Sequence, residues 1–155
     1  MTSSNIDAAA VQTLLPEPVP VHHLGLYREP STLEPVEYYN NLPNQLGAGS
    51  DSQHAHDGPP RGAEAPSKLA VILDPVIATG GTCAAAIQTL REWGAQRVLV
   101  LAIVGAADGL ARAAAEWPAG VDVWVAGLDQ QLTPAGMVNP GLGDIGDRLF
   151  LTIGK

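Results

Sequence analysis

The chain has 155 residues, with 16 acidic and 8 basic side chains and a net charge of −8. This balance excludes the broad cationic surface with which proteins bind nucleic acids or acidic membranes non-specifically. The single cysteine excludes an intrachain disulfide framework and favours a reducing, cytoplasmic location. No apolar run approaches the length of a membrane span, and the N-terminus lacks the pattern of a secretory signal.

The N-terminal part of the chain predicts a short helix. Residues 6–15 carry apolar side chains at helical spacing, and Pro16, Pro18 and Pro20 then end the helix. We therefore assign residues 1–18 to an N-terminal helix and linker, and residues 19–155 to one domain.

Two extended segments follow the prolines. Residues 19–28 (VPVHHLGLYR) predict a strand, and residues 34–42 predict a second extended segment after a turn. Arg28 comes at the end of the first strand, where it is either a solvated turn residue or a functional cation. Residues 44–67 then lose periodicity and nearly all large apolar side chains, which predicts a disordered insertion.

The most informative stretch is LAVILDPVIATGGTCAAAIQTL, residues 69–90. Residues 69–73 predict a buried strand of a parallel sheet, and a helix follows the glycine pair. We call residues 76–82 the phosphate loop, because glycines and threonines at a helix N-terminus suit an anion. Asp74, at the carboxyl end of the strand, suits ribose hydroxyls. An ordinary strand-to-helix turn is the alternative interpretation.

The remaining elements extend the same pattern. Residues 97–104 predict a second buried strand, residues 121–126 predict a third strand, and residues 106–117 predict a helix between them. This β-α-β-α-β order predicts an α/β fold with a parallel sheet. The three tryptophans are expected to be packing residues, namely Trp93, Trp117 and Trp124.

The C-terminal segment MVNPGLGDIGDR contains a formal G-x-G-x-x-G pattern. It does not open a helix within a βαβ unit, and nine residues after Gly146 leave no place for a ribose-binding acid. A dinucleotide site is therefore excluded. A glycine-rich terminal loop is the simplest interpretation from the residues alone.

Three motifs together resemble one family. The string DPVIATGGT at residues 74–82 resembles the phosphoribosyl pyrophosphate (PRPP) loop of type I phosphoribosyltransferases, in the Asp-Pro form typical of uracil phosphoribosyltransferases. Residues 23–39 (HLGLYREPSTLEPVEYY) are similar to a segment of that family whose arginine reaches the pyrophosphate of PRPP. The string PGLGD, followed by DRLF two residues later, resembles its uracil-recognition signature.

The resemblance implies a type I phosphoribosyltransferase-like (Rossmann-like) parallel-sheet core that is incomplete at its N-terminus. It implies transfer of a 5-phosphoribosyl group from PRPP to uracil, giving UMP and diphosphate. Asp74, Arg28 and Asp144 would be the catalytic residues. The residues that would bind PRPP are Arg28, Asp74, Pro75, Val76, Ile77, Ala78, Thr79, Gly80, Gly81, Thr82 and Asp144.

Uracil would be bound by residues 138–145, which we call the base loop. There the family uses backbone groups, and the matching residues are Val138, Gly143, Asp144 and Ile145. Fixed N–H and C=O groups can discriminate the edge of a planar base, because an analogue that lacks one partner leaves them unpaired.

The resemblance also implies Mg²⁺, bound mainly through the diphosphate and without a directly assigned protein ligand. A homo-oligomer is expected, and regulation by GTP is left open. The upstream half of the family has no counterpart in this sequence. The alternative is therefore a catalytically impaired paralogue that binds PRPP or UMP or acts as a partner subunit.

Overall fold

A computed structural model describes residues 3–29, 35–43, 67–143 and 148. Apart from Ser67, the predicted insertion at residues 44–67 lies outside the described residues. The elements in chain order are α1 (Ser3–Leu14), β1 (Leu24–Arg28), β2 (Pro35–Asn40), β3 (Ala70–Leu73), β4 (Val76–Ile77), α2 (Gly81–Trp93), β5 (Val98–Ala106), α3 (Ala107–Glu116), β6 (Val121–Asp129), β7 (Gln131–Leu132) and β8 (Val138–Asn139).

The main sheet is parallel and is built around β5. Strand β6 pairs with β5 along nearly its whole length. Strands β3 and β4 pair with residues of β5 that also pair with β6, so both must lie on the other side of β5. This parallel β-α-β-α-β arrangement confirms the predicted α/β class.

Strands β3 and β4 act as one strand with an interruption at Asp74 and Pro75. The register is the same before and after the break, since Leu73 pairs with Leu101 and Val76 pairs with Val104. The Pro75 carbonyl oxygen accepts hydrogen bonds from the amides of Ile103 and Val104, both at 3.1 Å. The interrupted strand therefore carries Asp74 and the phosphate loop to the carboxyl edge of the sheet, where open α/β sheets hold ligands.

One face of the sheet is covered by α2 and α3. Val98 and Val100 of β5 point to this face and are fully buried, together with Ile87 of α2 and Ala113 of α3. Trp93 and Trp117 pack against the same core, as predicted. Contacts of this kind, rather than helix propensity, supply most of the stability of short helices.

The opposite face of the sheet carries exposed apolar side chains in the described part of the chain. Val71 is 45% exposed, Ile103 51% and Trp124 69%. The prediction that Trp124 packs in the core is therefore wrong: burial alternates along β6, and Trp124 falls on the exposed side.

No helix in the described ranges is long and apolar enough to cross a membrane.

Strands β1 and β2 form a separate antiparallel pair that contacts α2. The Trp93 indole N–H donates to the Pro43 carbonyl oxygen at 2.8 Å and ties the end of this pair to the helix. The two extended segments predicted from the sequence are thus present with shorter bounds. Arg28 is the last residue of β1 and lies opposite Pro35.

We predict different costs for two identical substitutions in neighbouring strands. Val100→Ala should lower the free energy of unfolding by about 2 kcal/mol, because it removes two buried methyl groups and leaves a cavity. Val71→Ala, on the open face, should cost less than about 1 kcal/mol. Urea unfolding measures both, and equal losses would contradict the assignment of one covered and one open face.

Candidate functional site

The phosphate loop leads directly into the N-terminus of α2. Gly80 is the N-cap, and its carbonyl oxygen accepts the first helical hydrogen bond from the Ala84 amide at 2.9 Å. In such a cap the amides of the first helical turn, here residues 81–83, have no partner within the helix. These amides and the positive end of the helix dipole form a place for an anion.

Gly80 and Gly109 hold the phosphate loop in contact with α3. Gly80 has φ 75°, in the left-handed region that favours glycine. A Cβ on Gly80 would overlap the backbone carbonyl of Gly109, and a Cβ on Gly109 would overlap that of Ala78. The first turn of α3 therefore packs backbone to backbone against the loop, so both positions require glycine.

Sequence analysis missed Gly109. The available signal was a glycine near the start of a predicted helix, where alanine would favour the helix by about 1 kcal/mol. A glycine at a helical position, despite its lower helix propensity, indicates a close contact between backbones. The sequence does not show which segment makes that contact.

The phosphate loop lines a concave surface together with the end of the preceding strand. The lining residues are Asp74, Val76, Ile77, Ala78, Thr79, Gly80, Thr82 and Cys83. The structure thus brings Asp74 and the threonines of the loop to one surface. A carboxylate and helix amides at one surface are suited to ribose hydroxyls and a phosphate, respectively.

Cys83 lies beneath this surface and is buried. Burial, together with the smaller effect of the nearby Asp74 carboxylate, raises the pKa of its thiol to about 12. The thiol is therefore neutral at physiological pH, and Cys83 is a packing residue rather than a nucleophile.

A positive charge lies beside the loop in this acidic chain. The Arg112 Nη1 atom of α3 is 3.3 Å from the position that a Cβ of Gly81 would occupy. The guanidinium group therefore lies close to the start of α2, where it adds to the positive field of the helix dipole. Sequence analysis missed this residue, because nothing in the local pattern places α3 against the loop.

The structure joins the start of the base loop to the phosphate loop. Strands β7 and β8 form a short antiparallel hairpin, and Val138 of β8 is buried in one apolar cluster with Ala78, Val104 and Ala106. Ala78 belongs to the phosphate loop, so the two segments share a core. Because the Val138 side chain is buried in this core, the predicted contact of Val138 with a base would have to be made by its backbone groups.

The other predicted site residues are placed only in part. Gly143 has φ 74° and is exposed. Arg28 is placed by its backbone at the end of β1, and Asp144 and Ile145 lie outside the described residues. The ligand-binding roles of all these residues stay predictions.

Comparison with known proteins gives consistent matches over most of the chain. The family model described as uracil phosphoribosyltransferase matches residues 7–152. The urg2 protein of Schizosaccharomyces pombe is 39% identical over 142 residues, which are 92% of this chain and 58% of that protein. The uracil phosphoribosyltransferase of Roseiflexus castenholzii is 42% identical over 132 residues, covering 85% and 54%.

A solved structure, that of the AQ2163 protein from Aquifex aeolicus, superimposes with a TM-score of 0.67 at 32% identity. The match covers 86% of this chain and 54% of the Aquifex chain. The chain thus spans between 54% and 58% of the length of these relatives.

We predict that Gly109→Ala destabilises the protein, although alanine normally favours a helix. The added methyl group would collide with the Ala78 carbonyl, so the loss should be at least about 2 kcal/mol. Gly127→Ala is the matched control, because the nearest atom to its Cβ is 3.5 Å away. Thermal unfolding compares the two variants, and an unchanged or raised Tm for Gly109→Ala would contradict the backbone contact.

We also predict a pH dependence from Cys83. The unfolded thiol ionises near its ordinary pKa of 9.0, whereas the folded thiol stays protonated up to about pH 12. The contribution of the thiol to stability is complete below pH 9 and is lost between pH 9 and 12, by up to about 1.4 kcal/mol per pH unit. Cys83→Ala should remove this part of the slope in urea unfolding measured across that range.

The same residue gives an independent check. The chain has one cysteine, so the reaction of the protein with Ellman's reagent reports on Cys83 alone. The native protein should react much more slowly than the protein in urea. A fast native reaction would contradict the burial of the thiol.

Proposed function

Because the chain belongs to the uracil phosphoribosyltransferase family, we propose that it binds PRPP and uracil and transfers the 5-phosphoribosyl group to N1 of uracil, giving UMP and diphosphate. Membership of the family and a parallel-sheet core of the type I phosphoribosyltransferase kind agree with the resemblance found in the sequence. The observation that carries the proposal is the shared core of Ala78 and Val138, which holds the phosphate loop next to the base loop.

The phosphate loop would hold the 5′-phosphate of PRPP. Its ligands would be the first amides of α2 and the hydroxyl groups of Thr79 and Thr82, with Arg112 adding positive charge nearby. Asp74, which lines the same concave surface, would accept hydrogen bonds from the ribose hydroxyls. A carboxylate there also repels the phosphate groups and so favours one orientation of the substrate.

The base loop would read the edge of uracil with backbone groups of Val138, Gly143 and Ile145, and Asp144 would contact PRPP. This main-chain readout agrees with the burial of the Val138 side chain, which is taken up by the core and does not face the ligand. Gly143, which is exposed, could approach a planar base closely.

In the proposed reaction, the bond between N1 of uracil and C1′ of ribose forms as the bond from C1′ to the diphosphate oxygen breaks. The N1 proton passes to water, and the electron pair of the broken bond leaves with diphosphate. The two loops would contribute chiefly by orienting the reacting atoms, which removes much of the entropic part of the barrier.

The departing diphosphate would be stabilised by Arg28 and by Mg²⁺ that enters with PRPP. In residues 3–29, 35–43 and 67–143, no group of three or more His, Cys, Asp or Glu side chains could hold a metal ion. The diphosphate oxygens are suitable ligands for this hard cation, so we treat Mg²⁺ as part of the substrate.

We further propose a cytoplasmic location, which the single cysteine favours, and a homo-oligomeric state. The division into residues 1–18 and 19–155 stays a prediction. Regulation by GTP remains open.

The proposal is tested by UMP formation from radiolabelled uracil, PRPP and Mg²⁺ with the purified 155-residue chain. Asp74→Asn should abolish turnover, because it removes the charge that holds the ribose hydroxyls. Asp122→Asn is the control: it breaks the exposed ion pair with Arg97 on the part of β6 away from the loop, and turnover should be unchanged.

Thermal unfolding with and without PRPP completes this test. Folded protein that PRPP stabilises but that forms no UMP would contradict the enzyme and support the binding protein weighed as the alternative. Protein that PRPP does not stabilise would overturn the proposed substrate as well.

A further inference from the structure

Asp129 connects the main sheet to the base loop. It is the last residue of β6 and pairs with Ala106 at the carboxyl edge of the sheet. Its Oδ2 atom accepts a hydrogen bond from the Gly141 amide at 3.0 Å, in a partly buried position. A hydrogen bond to a charged acceptor in such surroundings is stronger than one between neutral groups.

The other partner of this bond has little freedom. Gly141 has φ 56°, and a Cβ on it would overlap the Val138 carbonyl oxygen. The chain therefore folds back tightly on itself between Val138 and Gly141, and the direction of the Gly141 amide is set by that fold.

The described part of the base loop is held by one buried side chain and by one partly buried hydrogen bond. The Val138 side chain is buried in the cluster with Ala78, and the Gly141 amide is bound by Asp129. The other side-chain bonds of this region are exposed: Asn139 Nδ2 donates to Gln131 Oε1 at 3.4 Å, the Met137 amide to Thr133 Oγ1 at 3.1 Å, and Arg148 Nη1 to the Leu142 carbonyl oxygen at 2.7 Å. Exposed bonds contribute less than a partly shielded bond to a charged acceptor, so the Asp129 carboxylate is the partly buried polar anchor among them.

We propose that Asp129 is a positioning residue for the pyrimidine base. This inference rests on the proposed function. Backbone groups recognise a base only when their positions are fixed to within a fraction of an ångström. Residues 138 and 143 come before and after the anchored Gly141 amide in the chain, so the hydrogen bond to Asp129 fixes the segment between them. Asp129 acts through the loop and is not itself a base ligand.

The test compares Asp129→Ala with Asp129→Asn in the 155-residue chain. Alanine removes the acceptor, whereas asparagine keeps an oxygen at nearly the same position. Gln131→Ala is the matched control, because it removes the weak exposed bond in the same hairpin. Binding of UMP and of ribose 5-phosphate is measured by calorimetry, since the second ligand has the phosphate and the ribose without the base.

We expect Asp129→Ala to weaken UMP binding about tenfold, the loss expected for one hydrogen bond to a charged group. Binding of ribose 5-phosphate should be unchanged, asparagine should restore most of the affinity for UMP, and Gln131→Ala should bind both ligands normally. If the wild-type chain turns over, the KM for uracil should rise in Asp129→Ala while the KM for PRPP stays constant.

Other outcomes separate the two proposals. Equal weakening of both ligands, or no weakening of either, would overturn the role of Asp129 and leave the proposed function standing. A wild-type chain that is folded but binds neither ligand would overturn the proposed function, and the positioning role would fail with it. The NMR shift of the Gly141 amide in the unliganded protein checks the bond itself, and an unchanged shift in Asp129→Ala would contradict the geometry on which the inference is built.

Discussion

The contact between the backbones of Gly80 and Gly109 is the constraint on which the rest of the site depends. It places the first turn of α3 directly against the phosphate loop, with no room for a side chain on either residue. Since α3 also buries Ala113 in the main core, the shape of the loop is tied to the packing of the sheet. The amides at the start of α2 are therefore oriented before any ligand arrives, and the cost of ordering them is met during folding rather than during binding.

The charge of the chain bears directly on the proposed binding of PRPP at this loop. A protein with net charge −8 repels a polyphosphate at long range, so attraction must come from groups within a few ångströms of the anion. In the proposed site, helix amides, the α2 dipole and the Arg112 guanidinium would supply this attraction, and salt screens such short-range interactions less than a diffuse surface field. An acidic protein can thus bind an anion at one point while rejecting polyanions elsewhere on its surface.

Much of the fold could be predicted from the sequence, because the strands and helices around the phosphate loop have strong apolar periodicity. Trp124 was predicted wrongly because a tryptophan is usually expected to pack in a core. Whether a strand residue is buried depends on which face of the sheet the helices cover, and the sequence of the strand does not show this. Gly109 and Asp129 were missed for a related reason: each acts on a segment far away in the chain, and no local pattern specifies the partner. Arg28, Asp144 and Ile145 were assigned by motif alone, and their roles stay predictions.

The double hydrogen bond to the Pro75 carbonyl has a consequence for the dynamics of the site. A proline inside a strand removes one donor from the ladder, yet here the amides of Ile103 and Val104 on the neighbouring strand are both bonded to it. The central strand therefore has no open amide at the break, and its hydrogen exchange should be as slow there as in the core. Many ligand-binding loops belong to the least stable units of a protein, whereas the phosphate loop begins in a strand that is hydrogen-bonded to the centre of the main sheet.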